Sequence, residues 1–281
     1  MAQPGRARSA QWSGSASATR GSGWLVSVIL AVYTGRIMKT TPRLHLDAEL
    51  EHQREIALER EQAHYLAGVL RLAAGDPVSV FNARDGEWLA YLTEVTKKGV
   101  RIRCERQVSA VTPPPDVDYC FAPLKHARLD YVVQKATELG ARRLRPVITQ
   151  RTIAERVNLE RMKANVVEAA EQCNLVFVPE VMEPVKLPRL LLGWEPDRAL
   201  VYCDETAAIA SPIDALRELQ APAAVLIGPE GGFTDEEKAL LKSLPFVTAI
   251  SLGPRIMRAD TAAVAALTLV QAVLGDWHHT R

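Results

Sequence analysis

The sequence predicts an α/β protein: a parallel sheet covered by helices on both faces, with a small β-barrel in front of it. Three observations support this. From residue 43 to about 108, apolar and polar residues alternate with period two. Three consecutive prolines at 113–115 then interrupt the pattern, and beyond them short apolar runs alternate with stretches of helical periodicity.

The first 37 residues carry Arg6, Arg8, Arg20 and Arg36, no Asp or Glu, many Ser and Gly, and one apolar run, "WLVSVILAVY", too short to span a bilayer. Arginine without acid is the composition of a transit peptide, and a short apolar stretch that of a signal peptide. Met38 is nevertheless the expected start, because a folded-domain pattern begins within a few residues of it and no A-x-A-like site follows the run. Residues 1–37 are then an extension, disordered or untranslated.

Residues 38–110 are the predicted barrel. "PVSVF", "EWLAYLTEV" and "GVRIRCERQV" read as half-buried strands, the last setting Val100, Ile102 and Cys104 against Arg101, Arg103 and Glu105. Residues 111–117, holding the prolines, are a stiff linker. Within 118–281, "DYCFA", "RPVIT", "ALVYC", "AAVLIG" and "VTAISL" are strand candidates buried on both faces. Between the first two, "RLDYVVQKATELG" places Leu129, Val132, Val133 and Ala136 on one helical face, with Gly140 set to close the helix. "LERMKANVVEAAEQC" aligns Leu159, Met162, Val166 and Cys173 in the same way. "ADTAAVAALTLVQAVLG" is nearly all apolar, which predicts a buried last helix capped by Asp260 or Thr261. Sheets of this kind bind ligands beyond the carboxyl ends of their strands.

Composition limits the possible functions. With 281 residues, 48% hydrophobic and 24% charged, the chain is an ordinary globular protein, neither fibrous nor disordered. A net charge of +1 means that any nucleic-acid surface is local. Cys104, Cys120, Cys173 and Cys203 are far apart and lack zinc spacing, so they predict no metal site and read as core thiols of a reducing compartment.

Two strand-exit loops stand out. "LIGPEGGFTDEE" leaves its strand through Gly228, Pro229, Glu230, Gly231 and Gly232, and Thr234 with Glu237 then forms a capping box. The glycines allow close backbone approach and present bare N–H groups, but the phosphate-loop lysine is missing, as is any GxGxxG. "SLGPR" leaves a second strand in the same fashion, and puts Arg255 and Arg258 at the N-terminal end of a helix, where the macrodipole disfavours cations. Such a breach of a local rule suggests that the arginines face a ligand; a solvated pair is the plain alternative.

Together, "LIGPEGGFTDEE" and, about twenty residues on, "LGPRIMRADTA" resemble the paired signature of the RsmE-type ribosomal RNA small-subunit methyltransferases of the SPOUT superfamily. "HYLAGVLRLAAGDPV", "KHARLDYVVQKATELG" and "EAAEQC" extend the resemblance over about residues 43–275. It implies a PUA-like barrel followed by a trefoil-knotted α/β domain. It also implies S-adenosylmethionine (SAM) as cofactor, methylation of N3 of one uridine in 16S ribosomal RNA within the small subunit, a homodimer and a cytoplasmic location. On that model Ile227, Gly228, Pro229, Glu230, Gly231 and Gly232 form one wall of the cofactor pocket and Leu252, Gly253, Pro254, Ile256 and Met257 the other.

The uracil N3 is a weakly acidic imide. It becomes nucleophilic as its proton leaves, and the charge then spreads onto the flanking carbonyl oxygens, where a fixed cation acts as in an oxyanion hole. Arg258 is the first candidate for that role and Arg255 the second, while Glu230 either positions or deprotonates. For RNA, the segment 125–163 holds ten Lys or Arg (125, 128, 135, 142, 143, 145, 151, 156, 161, 163) against four acids (Asp130, Glu138, Glu155, Glu160), and reads as a basic patch through Lys125, Lys135 and Arg151. In the barrel, Arg43, His64 and Arg71 match family positions associated with RNA. After "EAAEQC" the family often has Gly-Arg where this chain has Asn174 and Leu175. Another SPOUT enzyme acting on tRNA or a ribose 2′-hydroxyl is the nearest rival. An inert RNA-binding module would have no reason to keep both glycine loops, and a nucleotide hydrolase would need the missing lysine.

Overall fold

The structure is a computed structural model that describes residues 41–125, 127–154, 156–207 and 211–277; the predicted extension 1–37 lies outside the described residues. Thr41–Arg281 forms one compact unit with two sheets. The first consists of β1 (Arg43–His45), β2 (Glu55–Ala57), β3 (Pro77–Asn82), β4 (Gly86–Thr96) and β5 (Gly99–Ser109), in the order β1-β3-β4-β5-β2. β1 is parallel to β3 and the other pairs are antiparallel. Alternation acts here as expected: Val100, Ile102 and Cys104 point into the core with Leu66, Val78, Val80 and Leu92, while Arg101 and Arg103 face solvent. A short helix, α1 (Arg60–Ala63), runs straight into a π-helical turn over His64–Val69.

The second sheet comprises β6 (Val117–Phe121), β7 (Arg143–Ile148), β8 (Glu180–Val181), β9 (Val185–Lys186), β10 (Ala199–Cys203), β11 (Ala223–Ile227) and β12 (Val247–Ile250). Its strands are all parallel, ordered β12-β10-β11-β6-β7-β8, with β9 also beside β7. Around it lie α2 (Ala127–Glu138), α3 (Leu159–Gln172), α4 (Leu187–Leu192), α5 (Pro212–Arg217), α6 (Asp235–Ser243) and α7 (Ala259–Val273). Side chains of a strand alternate between faces, and the core divides accordingly. Val117, Tyr119, Phe121, Val225 and Ile227 pack with α2, α3 and α7; Cys120, Leu200, Tyr202, Ala224 and Leu226 pack with α4 and α6.

Three expectations need correction. Cys173 does not join the apolar face of α3: the helix ends at Gln172, Asn174 turns the chain at φ +57°, and the thiol is exposed. The last helix starts before Asp260, with Arg258 at the N-cap position and no side chain capping it; Asp260 sits in the first turn and its Oδ1 accepts from the Thr261 N–H at 2.9 Å. Nor is that helix buried all round. Ala263, Ala266, Leu267, Val270 and Gln271 are buried, whereas Ala262, Leu269 and Val273 are half-buried and Ala272 is exposed.

Candidate functional site

Because every strand of the second sheet points the same way, the loops leaving β6, β7, β10, β11 and β12 share one rim. The β11 loop folds back on its own Phe233. A Cβ at Gly228 would sit 2.5 Å from that ring, which itself is buried edge-on to Tyr202 at 5.2 Å. At Gly232 φ is +67°, and its N–H reaches the Pro229 carbonyl at 2.9 Å, closing the turn. Thr234 then caps α6 by accepting from the Glu237 N–H, and the Glu237 carboxylate accepts from the Thr234 N–H. Its other oxygen accepts from the Gln150 N–H at 2.8 Å, tying the loop to the exit of β7. Arg151 adds to this by donating to the Gly231 carbonyl at 2.9 Å.

The β12 loop is open by contrast. At Gly253 φ is +111°, and a Cβ there would meet nothing within 4 Å, as at Gly232, but among the described residues no side chain of another element holds this loop by a hydrogen bond. Arg255, Ile256 and Arg258 are exposed, Ile256 to 90%. Leu252 and Met257 are half-buried. Neither Arg255 nor Arg258 makes an ion pair among the described residues.

One residue joins the β11 loop to the helix that follows the β12 loop. Arg128, in the first turn of α2, lies 3.6 Å from Glu230 and 3.9 Å from Asp260, so the glycine loop and the start of α7 converge on a single guanidinium. In the sequence Arg128 stands out only as one cation of the basic segment, although it carries the same signal as Arg258: a cation at the positive end of a helix that follows a strand of the parallel sheet.

The residues expected to meet RNA fare unevenly. Arg43 is a correction. All five of its donors are spent, on Glu87 (two bonds) and on the carbonyls of Ala170, Glu171 and Leu175, and its guanidinium lies over Phe81 at 4.4 Å. With a side chain only 9% exposed, it has nothing left for a phosphate. His64 and Arg71 are both exposed, one opening the π-helical turn and the other following it at φ +56°. Lys125 is exposed at the exit of β6. Lys135 is paired with Glu138 at 2.6 Å.

The basic segment as a whole is less free than its composition suggests. Arg142, Arg143 and Arg145 face Asp116, Asp118 and Glu195; Arg128 faces Glu230 and Asp260; Arg161 faces Asp130 and Lys163 faces Glu160. Most of these acids lie outside the 125–163 window, so an excess counted within it overstates the positive surface.

Known proteins are similar to this chain over both of its sheets. A family model described as an RNA methyltransferase domain matches residues 112–271, more than half of the chain and the whole span from the first strand of the parallel sheet to α7. The chain belongs to the RNA methyltransferase family. An RNA methyltransferase PUA domain model matches residues 58–104 of this methyltransferase, inside the five-stranded sheet. A relative from Synechocystis, named ribosomal RNA small subunit methyltransferase E, is 32% identical over 224 residues, covering 78% of this chain and 73% of the relative. One of the same name from Rickettsia conorii is 29% identical over 232 residues, covering 82% and 94%. A solved methyltransferase from Legionella pneumophila, in complex with bound SAM, is 29% identical, with a TM-score of 0.72 over 83% of this chain and 98% of that one. Among the described residues no helix is long and apolar enough to cross a membrane, and no cluster of His, Cys, Asp and Glu suits a metal ion.

Proposed function

We propose that this methyltransferase carries a methyl group from SAM to N3 of one uridine of 16S ribosomal RNA, acting in the cytoplasm on the small subunit and as a homodimer. The observation that carries the reading is the convergence of the β11 loop, through Glu230, and of the start of α7, through Asp260, on Arg128 at the carboxyl rim of the sheet. The named relatives and the SAM-bound neighbour supply its chemistry. The open space over Gly253 and the closed turn at Gly232 fit a cofactor lying against main chain, with Ile227 to Gly232 on one side and Leu252, Gly253, Pro254, Ile256 and Met257 on the other. In the proposed fold the β12 loop and α7 are the threaded part of the trefoil knot, and the half-buried apolar face of α7 is covered by the second subunit.

SAM supplies an electrophilic methyl carbon on a sulfonium. The chain has to hold the uracil nitrogen in line with that carbon and favour the form that has lost its N3 proton. Arg258, exposed at the N-cap of α7 and without an ion pair among the described residues, stabilises the charge that collects on the uracil carbonyl oxygens, with Arg255 beside it. Glu230 is engaged with Arg128, which suits it to orienting a substrate group. Lys125, His64 and Arg71 approach the RNA backbone.

The test is to map methylated nucleotides in 16S ribosomal RNA from cells lacking the gene, before and after incubating their small subunits with the protein and SAM. One 3-methyluridine should be missing and should return. Intact ribosomal RNA with a methyl lost from tRNA or a ribose would overturn the substrate and keep the fold.

A further inference from the structure

Arg43 stands on β1 of the five-stranded sheet, yet three of its five bonds cross to the other sheet's helical layer. Nη1 donates to the Ala170 and Glu171 carbonyls at 2.9 and 3.0 Å, and Nη2 to the Leu175 carbonyl at 2.9 Å. The first two are carbonyls of the last turn of α3, at the negative end of its dipole, where the Ala170 carbonyl also accepts from the Leu175 N–H at 3.2 Å; the third belongs to the chain just beyond the helix. The remaining bonds, Nε and Nη2 to the two oxygens of Glu87 at 2.8 and 3.2 Å, anchor the same guanidinium in β4. A second bond reinforces the seam: the His45 N–H donates to the Glu171 carboxylate at 2.9 Å. A planar guanidinium serves such a divergent set of acceptors, whereas a lysine ammonium has three donors on a single point.

We propose that Arg43 is a positioning residue for methyl transfer. It caps α3 from the PUA-like sheet and so fixes the angle between that sheet and the rim loops, and thereby the span over which an RNA contacts both. This rests on the reading of the chain as a ribosomal RNA methyltransferase. Arg43 touches neither cofactor nor uracil; it sets where the RNA-facing His64 and Arg71 stand relative to Arg258.

The experiment compares the wild-type protein with Arg43→Lys and Arg43→Ala, and with Glu87→Gln in case the alanine variant fails to fold. Two readouts are taken. KM for small subunits lacking the methyl should rise about tenfold or more in Arg43→Lys, while kcat and SAM affinity stay within about twofold, the split expected when binding geometry alone is lost. Spin labels at Glu94→Cys and Glu218→Cys, on a Cys173→Ser background because that thiol is exposed, should give a broadened or shifted inter-sheet distance in the same variant. Arg43→Lys with wild-type KM and distance overturns the proposal. So does a parallel loss of SAM affinity, kcat and folded fraction, which marks a merely structural role. If the wild-type protein leaves small subunits unmethylated, the functional reading fails, and the label distance alone decides whether Arg43 sets the angle.

Discussion

At the amino ends of the central strands, Arg143 and Arg145 donate to opposite oxygens of Asp118 at 2.8 and 2.7 Å, and Arg198, 3% exposed, lies against Asp118, Asp116 and Glu195. The Asp118 side chain is completely buried. At the carboxyl ends, Arg255 and Arg258 stand exposed, without ion pairs among the described residues, and Arg128 holds its two acids only at 3.6 and 3.9 Å. The same residue type is thus used in two ways. Where desolvated arginines meet buried carboxylates at hydrogen-bond distance, each charge is needed to offset the burial of the next, and the network belongs to the fold. Where they remain solvated beside a loop with open space, as at Gly253, no ion pair among the described residues ties them to the fold, and the proposed contact with a ligand gives them a role.

The buried end carries the largest expected effect. Asp118→Ala takes from Arg143 and Arg145 their only buried carboxylate at hydrogen-bond distance, leaving them Glu195 at 3.4 and 3.6 Å, and is expected to cost about 3–5 kcal/mol of stability, read by denaturant titration. Methyl transfer per folded molecule should be unchanged. A stable Asp118→Ala protein with lost activity would put catalysis at the wrong end of the sheet.

At the exposed end the expected effects are inverted. Arg258→Ala should lower kcat by about 100-fold or more, roughly what the loss of one donor costs an oxyanion hole, with stability within about 0.5 kcal/mol of wild type and SAM affinity little changed. An unchanged rate removes Arg258 from the chemistry and leaves Arg128 and Arg255 as the cations to test.

How far this contrast is legible in the sequence depends on the reach of the pattern. Period-two alternation finds β3, β4 and β5, and the apolar runs find β6, β7, β10, β11 and β12, because each signal is local. β1 and β2 have three residues each and β8 and β9 two, too short for any period to develop. The Thr234–Glu237 box and Gly140, at φ +79°, are legible for the same local reason. The charge roles are not: Asp118 meets Arg143 and Arg145 across adjacent strands, and Arg43 meets Leu175 more than a hundred residues away. No window of sequence holds both partners, so composition alone presents a structural network as a basic patch.

The acid limb of stability carries a smaller effect. Burial raises the Asp116 pKa, but Arg198 and Arg142 more than offset this and hold it below the ordinary carboxylate value; Lys242 and Thr206 do the same against burial for Asp204. A carboxylate whose pKa is depressed by folding contributes stability above its unfolded pKa, and that contribution disappears as pH falls through the folded one. Their share of the unfolding free energy should therefore hold level from neutrality down to about pH 4 and then decline, by less than the Asp118→Ala loss, beneath an earlier decline that starts at about pH 6.5, where the unfolded chain protonates His45 and the fold, by burying it, does not. Asp116→Asn should flatten the decline in urea titrations at stepped pH, and an equally steep decline in that variant would assign the acid sensitivity elsewhere.

The smallest effect separates paired surface charge from free surface charge. Lys135 is bound to Glu138 at 2.6 Å on an exposed helical face, with its ammonium 5.8 Å from the Tyr131 ring. An exposed pair of this kind is worth less than about 1 kcal/mol, so Lys135→Ala should leave the melting temperature almost unmoved. Its RNA effect is equally bounded. A lysine that neutralises a phosphate contributes close to one unit to the slope of log affinity against log salt, whereas one already neutralised by Glu138 contributes little. Lys125, exposed at the rim, should change that slope by nearly one when replaced by alanine, and Lys135 by much less. Equal slopes for the two variants would mean that RNA displaces Glu138 from Lys135. The cations of α2 would then belong with the solvated arginines of the rim, and only the buried cluster round Asp118 would remain structural.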